Sequence, residues 1–356
     1  MKSVDLLVVG LGPGGASAAR KAAAAGLNVL AVDRRRVLGE PVQCAEFIPT
    51  PMSRYARSLP VRLQTITGMT TILPSGHSQR SDFPGLMIDR AEFDRALARD
   101  AQAQGAELWH PTRLIGLDPL RQRATLRRSG RELNVHYRVL VAADGPHSTV
   151  AARLGLAPLE TLLTRQYTVP LSRPVQDTRI WLSDAYPGGY AWLFPKQDVA
   201  NLGLGLDPTL QRDMKTPLDE LHRHLSQQGL VGTTVLQRTG GAIPVGGLRK
   251  HLREGSTLFV GDAAGLTHPI TGAGISAAVI SGEHAGTAAA AWLGGDGDAL
   301  VDYEEDMRDQ FGTALARAAQ RRQSLHHVWR TPAAQLDDTQ RRGWIAFDEY
   351  YEPVTA

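Results

Sequence analysis

Residues 6–15 read LLVVGLGPGG, and this stretch decides the fold. The apolar run at residues 6–9 predicts a strand, and the alanine-rich run at residues 16–25 predicts a helix. Between them lies a Gly-x-Gly-x-x-Gly pattern formed by Gly10, Gly12 and Gly15. The first glycine permits a tight turn, the second lets a pyrophosphate approach the backbone, and the third lets helix and strand pack closely. The sequence therefore predicts an adenine dinucleotide site at the start of this helix.

A second predicted strand, residues 27–32, ends at Asp33. An acidic residue about 20 positions after the first glycine is placed to accept a hydrogen bond from a ribose 2′-hydroxyl. Arg34 follows directly and opens a run of three arginines. This run predicts either a contact with the adenine or ribose phosphate or a solvated loop.

Two later elements indicate that the dinucleotide is FAD. Residues 258–265, LFVGDAAG, predict a strand that enters a turn at Asp262, and a small-residue helix begins at the glycine-rich segment Gly272, Gly274 and Ile275. A flavin uses a carboxylate near its ribityl chain and a helix N-terminus near its pyrimidine end. His268 lies in the same loop, as a hydrogen-bonding group near the flavin or as a satisfied loop histidine. Residues 140–145, LVAADG, add a third strand and turn.

These three elements, in this order, resemble the flavoproteins related to p-hydroxybenzoate hydroxylase. Further segments resemble the geranylgeranyl reductase family within that group, over roughly residues 4–295. They are GEPVQCAE at residues 39–46, RAEFD at residues 90–94 and PGGYAWLFP at residues 187–195.

The resemblance implies an α/β fold in which a Rossmann-type (GR2-like) FAD-binding domain carries an inserted antiparallel β-sheet substrate domain and a C-terminal helical segment. We expect the FAD-binding domain at residues 1–159 and 256–296, the substrate domain at 160–255 and the helical region at 297–356. Arg90 is expected among the residues that bind FAD.

The resemblance also implies an FAD-dependent oxidoreductase that reduces a C=C bond of an apolar, isoprenoid-like substrate. No second glycine-loop unit is present for a nicotinamide, so either NAD(P)H binds transiently as the reductant, which is the expectation, or another donor reduces the flavin. An FAD-dependent monooxygenase is the alternative, acting on an aromatic substrate or on a peptidyl tryptophan during quinone-cofactor maturation. The polar character of residues 160–255 argues against a very long lipid tail, and a non-enzymatic FAD-binding module is a third reading.

Three residues are candidates for proton transfer. Cys44, by analogy over the isoalloxazine, is either a proton donor or a small buried hydrophobe. Glu46 is either a proton donor or a salt-bridge partner. Tyr190 is the member of the PGGYAWLFP segment with a proton to donate.

Apolar rings predict the substrate surface. Trp192 and Phe194 alternate with Tyr190 along a predicted strand, so the three share a face, which is either a substrate wall or ordinary inter-sheet core. Phe47 stands where the family pattern has glycine, and its ring is expected to narrow the substrate face of the flavin.

Composition bounds the remaining functions. The chain has 356 residues, 42% of them hydrophobic, and a formal net charge of +3, which does not favour nucleic-acid binding. One cysteine and a first strand that starts almost at Met1 predict a cytoplasmic protein without a disulfide or a cleavable signal. The apolar helix at residues 274–293 is expected to pack on the cofactor, which leaves at most peripheral membrane contact. The adjacent His326 and His327 do not predict a metal site.

Overall fold

The computed structural model describes residues 2–57 and 60–353, and within these ranges the chain forms eighteen strands and seven α-helices. The strands are β1 (Lys2–Val9), β2 (Val29–Val32), β3 (Phe47–Pro49), β4 (Arg62–Ile66), β5 (Met69–Ile72), β6 (Ser78–Ser81), β7 (Gly85–Ile88), β8 (Glu107–Trp109), β9 (Thr112–Asp118), β10 (Arg123–Arg128), β11 (Arg131–Ala142), β12 (Thr161–Pro170), β13 (Thr178–Trp181), β14 (Ala191–Lys196), β15 (Val199–Leu206), β16 (Gln237–Pro244), β17 (Arg253–Glu254) and β18 (Thr257–Phe259). The helices are α1 (Pro13–Ala24), α2 (Arg90–Ala103), α3 (Thr149–Arg153), α4 (Lys215–Gln227), α5 (Ile275–Leu293), α6 (Ala299–Leu325) and α7 (Asp337–Arg342).

The first sheet has five parallel strands at its centre, in the order β18-β11-β1-β2-β8. Val9 at the end of β1 lies between Ala142 of β11 and Val32 of β2, so three strands end side by side at the glycine loop. Carboxyl ends of parallel strands are where ligands bind in sheets of this type. The strand predicted to enter the LVAADG turn at residues 140–145 is the end of a longer strand, β11, which begins at Arg131.

Helices α1 and α5 pack closely because both are rich in small residues. A Cβ atom on Gly282 would lie 2.0 Å from the Gly14 carbonyl oxygen, and one on Gly286 would lie 2.5 Å from the Ala18 carbonyl oxygen. Larger side chains would push α5 away from α1. The packing keeps the N-termini of both helices beside the first sheet. Among the described residues, none of the helices is long and apolar enough to cross a membrane.

The second sheet runs in the order β16-β12-β15-β14-β13-β5-β6 and is antiparallel except where β5 meets β13. Helix α4 covers one face with its buried leucines at 218, 221 and 225. Strands β5 and β6 come from within residues 1–159, the range predicted for the FAD-binding domain. The sheet therefore extends beyond residues 160–255, because the chain leaves the first domain early and returns. The division into domains otherwise stays a prediction.

The C-terminal region docks on both sheets. Tyr303 of α6 donates its hydroxyl to the Phe259 carbonyl at 2.6 Å, which fixes α6 on the first sheet. Beyond α6, Trp344 and Phe347 pack with Met69 and Ile180 on the second sheet. The C-terminal region thus supplies part of the hydrophobic core next to the second sheet.

Candidate active site

A cavity of about 1190 Å³ lies between the glycine loop and the second sheet. Its volume exceeds the roughly 300–1,000 Å³ of an ordinary small-molecule pocket, so there is room for a cofactor and a second molecule. Every site residue predicted from the sequence except Gly15 lines this cavity. These are Gly10, Gly12, Asp33, Arg34, Cys44, Glu46, Phe47, Arg90, Tyr190, Trp192, Phe194, Asp262, His268, Gly272, Gly274 and Ile275.

The glycine loop has the backbone geometry that a pyrophosphate site requires. Gly10 has φ +102°, and a Cβ there would lie 2.2 Å from the Ala143 carbonyl oxygen. Gly15 does not line the cavity, since it lies where the helix contacts the loop: a Cβ there would be 1.9 Å from the Gly10 carbonyl oxygen. At Gly12 a Cβ would meet no described atom within 4 Å, which leaves open space in front of the N-terminus of α1.

Asp33 holds the loop and keeps acceptor capacity toward the cavity. Its Oδ2 accepts a hydrogen bond from the Leu11 N–H at 2.9 Å, and its Oδ1 accepts one from the Arg35 N–H at 2.8 Å. Each carboxylate oxygen retains a lone pair for a further donor. The side chain is thus preorganised to receive a ribose hydroxyl. Arg34, beside it, is exposed.

The second cofactor element forms around Asp262. Thr267 donates its hydroxyl to Asp262 Oδ1 at 2.6 Å, and burial raises the pKa of Asp262. A Cβ on Gly274 would lie 2.8 Å from the Thr267 hydroxyl and 3.2 Å from Asp262 Oδ1. Glycine at this position therefore brings the N-terminus of α5 against the carboxyl group. Gly272, at φ +68°, turns the chain into that start.

These features fit FAD. The open space at Gly12, the oriented carboxylate of Asp33 and the N-terminus of α5 beside Asp262 all border one cavity. Neither α1 nor α5 has a side-chain cap among the described residues, so the backbone N–H groups of their first turns, which in α1 start after Pro13, are available to a ligand. Residues 10–15 would hold the pyrophosphate, and residues 272–275 would face the flavin end.

Cys44 has a protonated thiol at neutral pH. Burial raises the pKa of the Cys44 thiol, and the nearby Arg90 guanidinium opposes this rise only in part. The Glu46 backbone N–H donates to Cys44 Sγ at 3.2 Å, and Glu46 adopts φ +71°. The turn thus fixes the sulfur in the cavity wall with its proton attached.

Glu46 forms an ion pair, the second of the two roles considered for it. Its Oε2 lies 2.7 Å from Lys196 Nζ and accepts a hydrogen bond from Asn201 Nδ2 at 2.8 Å. Its Oε1 accepts from the Arg90 backbone N–H at 2.9 Å. With both oxygens engaged and only 3% of the residue exposed, this carboxylate ties the Cys44 loop to β14, β15 and α2. It is not placed as a proton donor.

Tyr190 belongs to an aromatic wall that the sequence predicted in part. Its ring centroid lies 5.6 Å from that of Trp192 and 4.8 Å from that of Trp344. Its hydroxyl donates to the Thr271 carbonyl oxygen at 2.5 Å, and burial raises its pKa. The phenolic proton is therefore committed to the loop that precedes α5. Trp192 donates its Nε1–H to Gln166 at 3.1 Å.

Phe47 contributes a second aromatic group. Its ring stacks on Phe83 at 5.6 Å between centroids and meets the edge of Phe194 at 6.0 Å. A Cβ on Gly85 would lie 2.4 Å from the Phe47 ring, so glycine on β7 makes room for it. All three rings line the cavity, and the Phe47 ring occupies space that a glycine at position 47 would leave open.

His268 is neutral at neutral pH, and its hydrogen bonds define which ring nitrogen carries the proton. Burial lowers its pKa to about 4. Its Nδ1 accepts hydrogen bonds from the Thr271 N–H at 3.2 Å and the Ile270 N–H at 3.3 Å, so the ring proton resides on Nε2. This arrangement stabilises the loop before α5 and leaves one N–H donor in the cavity wall.

Sequence reasoning missed several residues of the site. Trp344 lines the cavity from the C-terminal region, and Gln166 joins the aromatic wall to the Cys44 loop by donating to the Cys44 carbonyl at 3.1 Å. Lys196 lies at the end of β14, two residues after Phe194 and on the same side of the strand. That alternation was a usable signal for Lys196. A lone tryptophan in a polar tail carries no such signal.

Comparison with known proteins identifies the family. A model of the geranylgeranyl reductase catalytic domain matches residues 164–243. The chain is 34% identical over 341 residues to a digeranylgeranylglycerophospholipid reductase of Methanocella arvoryzae, covering 88% of this chain and 86% of the relative. It is 32% identical over 339 residues to the protein of the same name from Methanothrix thermoacetophila, covering 88% and 85%.

A solved structure agrees with the sequence relatives. A geranylgeranyl bacteriochlorophyll reductase-like protein of Thermoplasma acidophilum superposes with a TM-score of 0.84 and 27% identity, over 92% of this chain and 88% of the other. The long sequence matches and this superposition extend over both sheets and beyond the catalytic-domain match. The chain therefore belongs to the geranylgeranyl reductase family of FAD-dependent oxidoreductases.

Proposed function

We propose that this protein uses reduced FAD to saturate C=C bonds in the isoprenoid chains of a lipid. The observation that carries this proposal is the protonated, half-buried thiol of Cys44 between the cofactor loops and an aromatic wall, all within one cavity. An isolated alkene needs a hydride at one carbon and a proton at the other. The names of the relatives, digeranylgeranylglycerophospholipid reductases, supply the substrate class.

Bound FAD in its reduced form supplies the hydride. Cys44 donates its proton to the second alkene carbon, so that the double bond becomes a single bond with two new C–H bonds. The sulfur is left as a thiolate, which the Arg90 guanidinium stabilises by charge. A proton from solvent then restores the thiol. Glu46 positions Cys44 through its backbone N–H and through the ion pair with Lys196.

The rings hold the substrate. Tyr190, Trp192 and Phe194 present apolar surface on one side of the cavity, and Phe47 and Phe83 extend it. Burial of an isoprene chain against these rings displaces water, which favours both binding and a dry reaction site. Since the Tyr190 hydroxyl is bonded to Thr271, we assign this ring a positioning role.

NADH or NADPH is proposed as the reductant of FAD, binding only transiently in the same cavity. For FAD itself, Arg34 is proposed as a polar contact at the adenine end. His268 is proposed as a polar contact at the flavin end, where it would donate a hydrogen bond from Nε2. Arg90 completes the flavin end through its ion pair with Asp94 at 2.8 Å, which fixes the guanidinium beside Cys44.

An anaerobic stopped-flow experiment tests this function. The FAD-loaded protein is reduced with dithionite and mixed with geranylgeranyl phosphate, and the flavin absorbance is followed. We expect the alkene to reoxidise the flavin and mass spectrometry to find product two hydrogens heavier per reduced bond. A parallel aerobic experiment offers an aromatic or peptidyl tryptophan substrate: an oxygen atom added to that substrate, with no flavin reoxidation by the alkene, would instead establish the hydroxylase alternative.

A further inference from the structure

A second, smaller cavity lies behind the aromatic wall. Its volume is about 40 Å³, and it lies between the second sheet and the C-terminal region. Its lining includes the apolar side chains of Leu182, Leu325 and Ala334. Among the described residues, Tyr190 and Trp344 border both this cavity and the large one. The two rings thus form a partition between the large cavity and a small cavity whose lining is mostly apolar, with Arg322 and Gln340 also on its wall.

Trp344 is held rigidly in this partition. It is only 2% exposed, and its Nε1–H donates to the hydroxyl of the fully buried Thr71 at 3.2 Å. Its ring meets the Tyr190 ring edge to face, and Tyr190 is in turn bonded to Thr271. An indole with a satisfied N–H and an edge-to-face aromatic neighbour does not swing aside at low cost. The partition is therefore a fixed wall.

The backbone around Trp344 is anchored independently of its ring. Asp337 accepts hydrogen bonds from the Ser75 N–H at 3.0 Å and from the Ser75 hydroxyl. Gln335 donates to Asp184 at 2.8 Å, and Gln79 donates to the Ala346 carbonyl at 3.4 Å. These contacts lie on both sides of position 344. A smaller side chain there should leave the segment in place and remove the wall.

We propose that Trp344 ends the substrate compartment and thereby sets the length of isoprenoid chain that the protein reduces. This inference rests on the proposed function and names the residue that determines which chain length is accepted. The chain end meets the indole face, and the apolar void beyond remains inaccessible. Replacement of the ring by a small side chain joins the two cavities and admits about one more isoprene unit, because most of the lining of the small cavity is apolar.

The test compares Trp344→Leu and Trp344→Ala with the wild type, using geranylgeranyl phosphate and the one-unit-longer geranylfarnesyl phosphate under anaerobic conditions. We expect the ratio of kcat/KM values to shift toward the longer chain by about tenfold or more. Trp329→Leu is the matched control, because Trp329 lines only the small cavity. It should leave the ratio at the wild-type value. Bound FAD and Tm are measured for each variant, and Trp344→Leu serves if Trp344→Ala does not fold.

A second variant sharpens the test. Ala334→Val fills part of the small cavity, so Trp344→Leu combined with Ala334→Val should return the ratio toward the wild-type value. An unchanged ratio in both Trp344 variants, or an equal shift in Trp329→Leu, would overturn the proposal. If the wild type reduces neither phosphate while it binds FAD and reacts with O₂, the proposed function itself has failed. The two failures are thus distinguishable.

Discussion

The proposed cofactor end and the proposed substrate end of the cavity are built in different ways. At the cofactor end, short contiguous segments act largely through backbone: Gly10, Gly12 and Gly15 shape one loop, and Gly272 and Gly274 shape the other. At the substrate end, side chains from distant segments converge. Phe83, Gln166, Tyr190 and Trp344 lie far apart in the chain and all line the same space. A local motif can encode the first kind of site but not the second.

The difference predicts different responses to substitution. At the cofactor end, the addition of a single methyl group to a glycine that lies against the backbone should abolish the binding of FAD. At the substrate end, single side chains should alter rates, selectivity or stability while FAD remains bound. Four predictions, from the largest expected effect to the smallest, test this contrast.

The largest effect is expected for Gly15→Ala. The new methyl group would lie 1.9 Å from the Gly10 carbonyl oxygen and would force α1 away from the loop. We expect a loss of about 3 kcal/mol or more in stability and loss of bound FAD, measured by thermal unfolding and visible absorbance.

Gly12→Ala and Gly297→Ala provide the comparison. Neither new Cβ meets a described atom within 4 Å, but only Gly12 faces the cavity. Gly12→Ala should weaken FAD binding with little change in the Tm of the FAD-free protein, and Gly297→Ala should change neither. Equal FAD retention in all three variants would contradict the proposed pyrophosphate site.

Glu46→Gln should destabilise the junction between the two ends. It leaves Lys196 without its buried ion-pair partner, which we expect to cost about 3 kcal/mol in the free energy of unfolding. Glu132→Gln removes an exposed ion pair with Arg127 and should cost less than about 1 kcal/mol. Urea unfolding of the FAD-loaded proteins measures both, and similar losses would argue against a structural role for Glu46.

Cys44→Ser should slow alkene reduction by about a hundredfold, because a serine hydroxyl is a much weaker acid than a thiol. Reduction of the flavin by dithionite should keep its wild-type rate. Since burial raises the thiol pKa above its ordinary value of 9.0, the wild-type rate should stay constant through neutral pH and fall only in alkaline solution. An unchanged rate of alkene reduction in Cys44→Ser would assign the proton to water or to another group.

The smallest effect concerns His268. Its pKa of about 4 lies below the ordinary 6.5, so the unfolded chain binds the proton more readily than the folded one between these values. This contribution to stability is complete above pH 6.5 and is lost as the pH falls toward 4. We expect a loss of about 1 kcal/mol between pH 7 and pH 5.5, and a smaller slope in His268→Gln. Identical slopes would show that His268 does not titrate in this range.

Secondary structure was predictable where the periodicity was strong. The strand predicted at residues 6–9 is part of β1, and the helix predicted at residues 16–25 lies in α1 apart from its last residue. Strands β5 and β6 were not predicted, because they are short and β5, with which β6 pairs, joins β13 about a hundred residues later. Glu46 shows the same limit at the site. Its two candidate roles differed only in whether Lys196 and Asn201 approached the carboxylate.

The sequence by itself determined the cofactor, the fold class and the family, since a glycine pattern between a strand and a helix dictates backbone geometry within a few residues. Only the tertiary structure showed that Phe83 and Trp344 join the predicted aromatic residues in the cavity wall, and it alone decided the ion pair of Glu46. These depend on contacts between segments that lie up to about 270 residues apart, such as Trp344 with Thr71. Contacts of that kind arise from packing of the whole chain, so a local sequence pattern does not predict them.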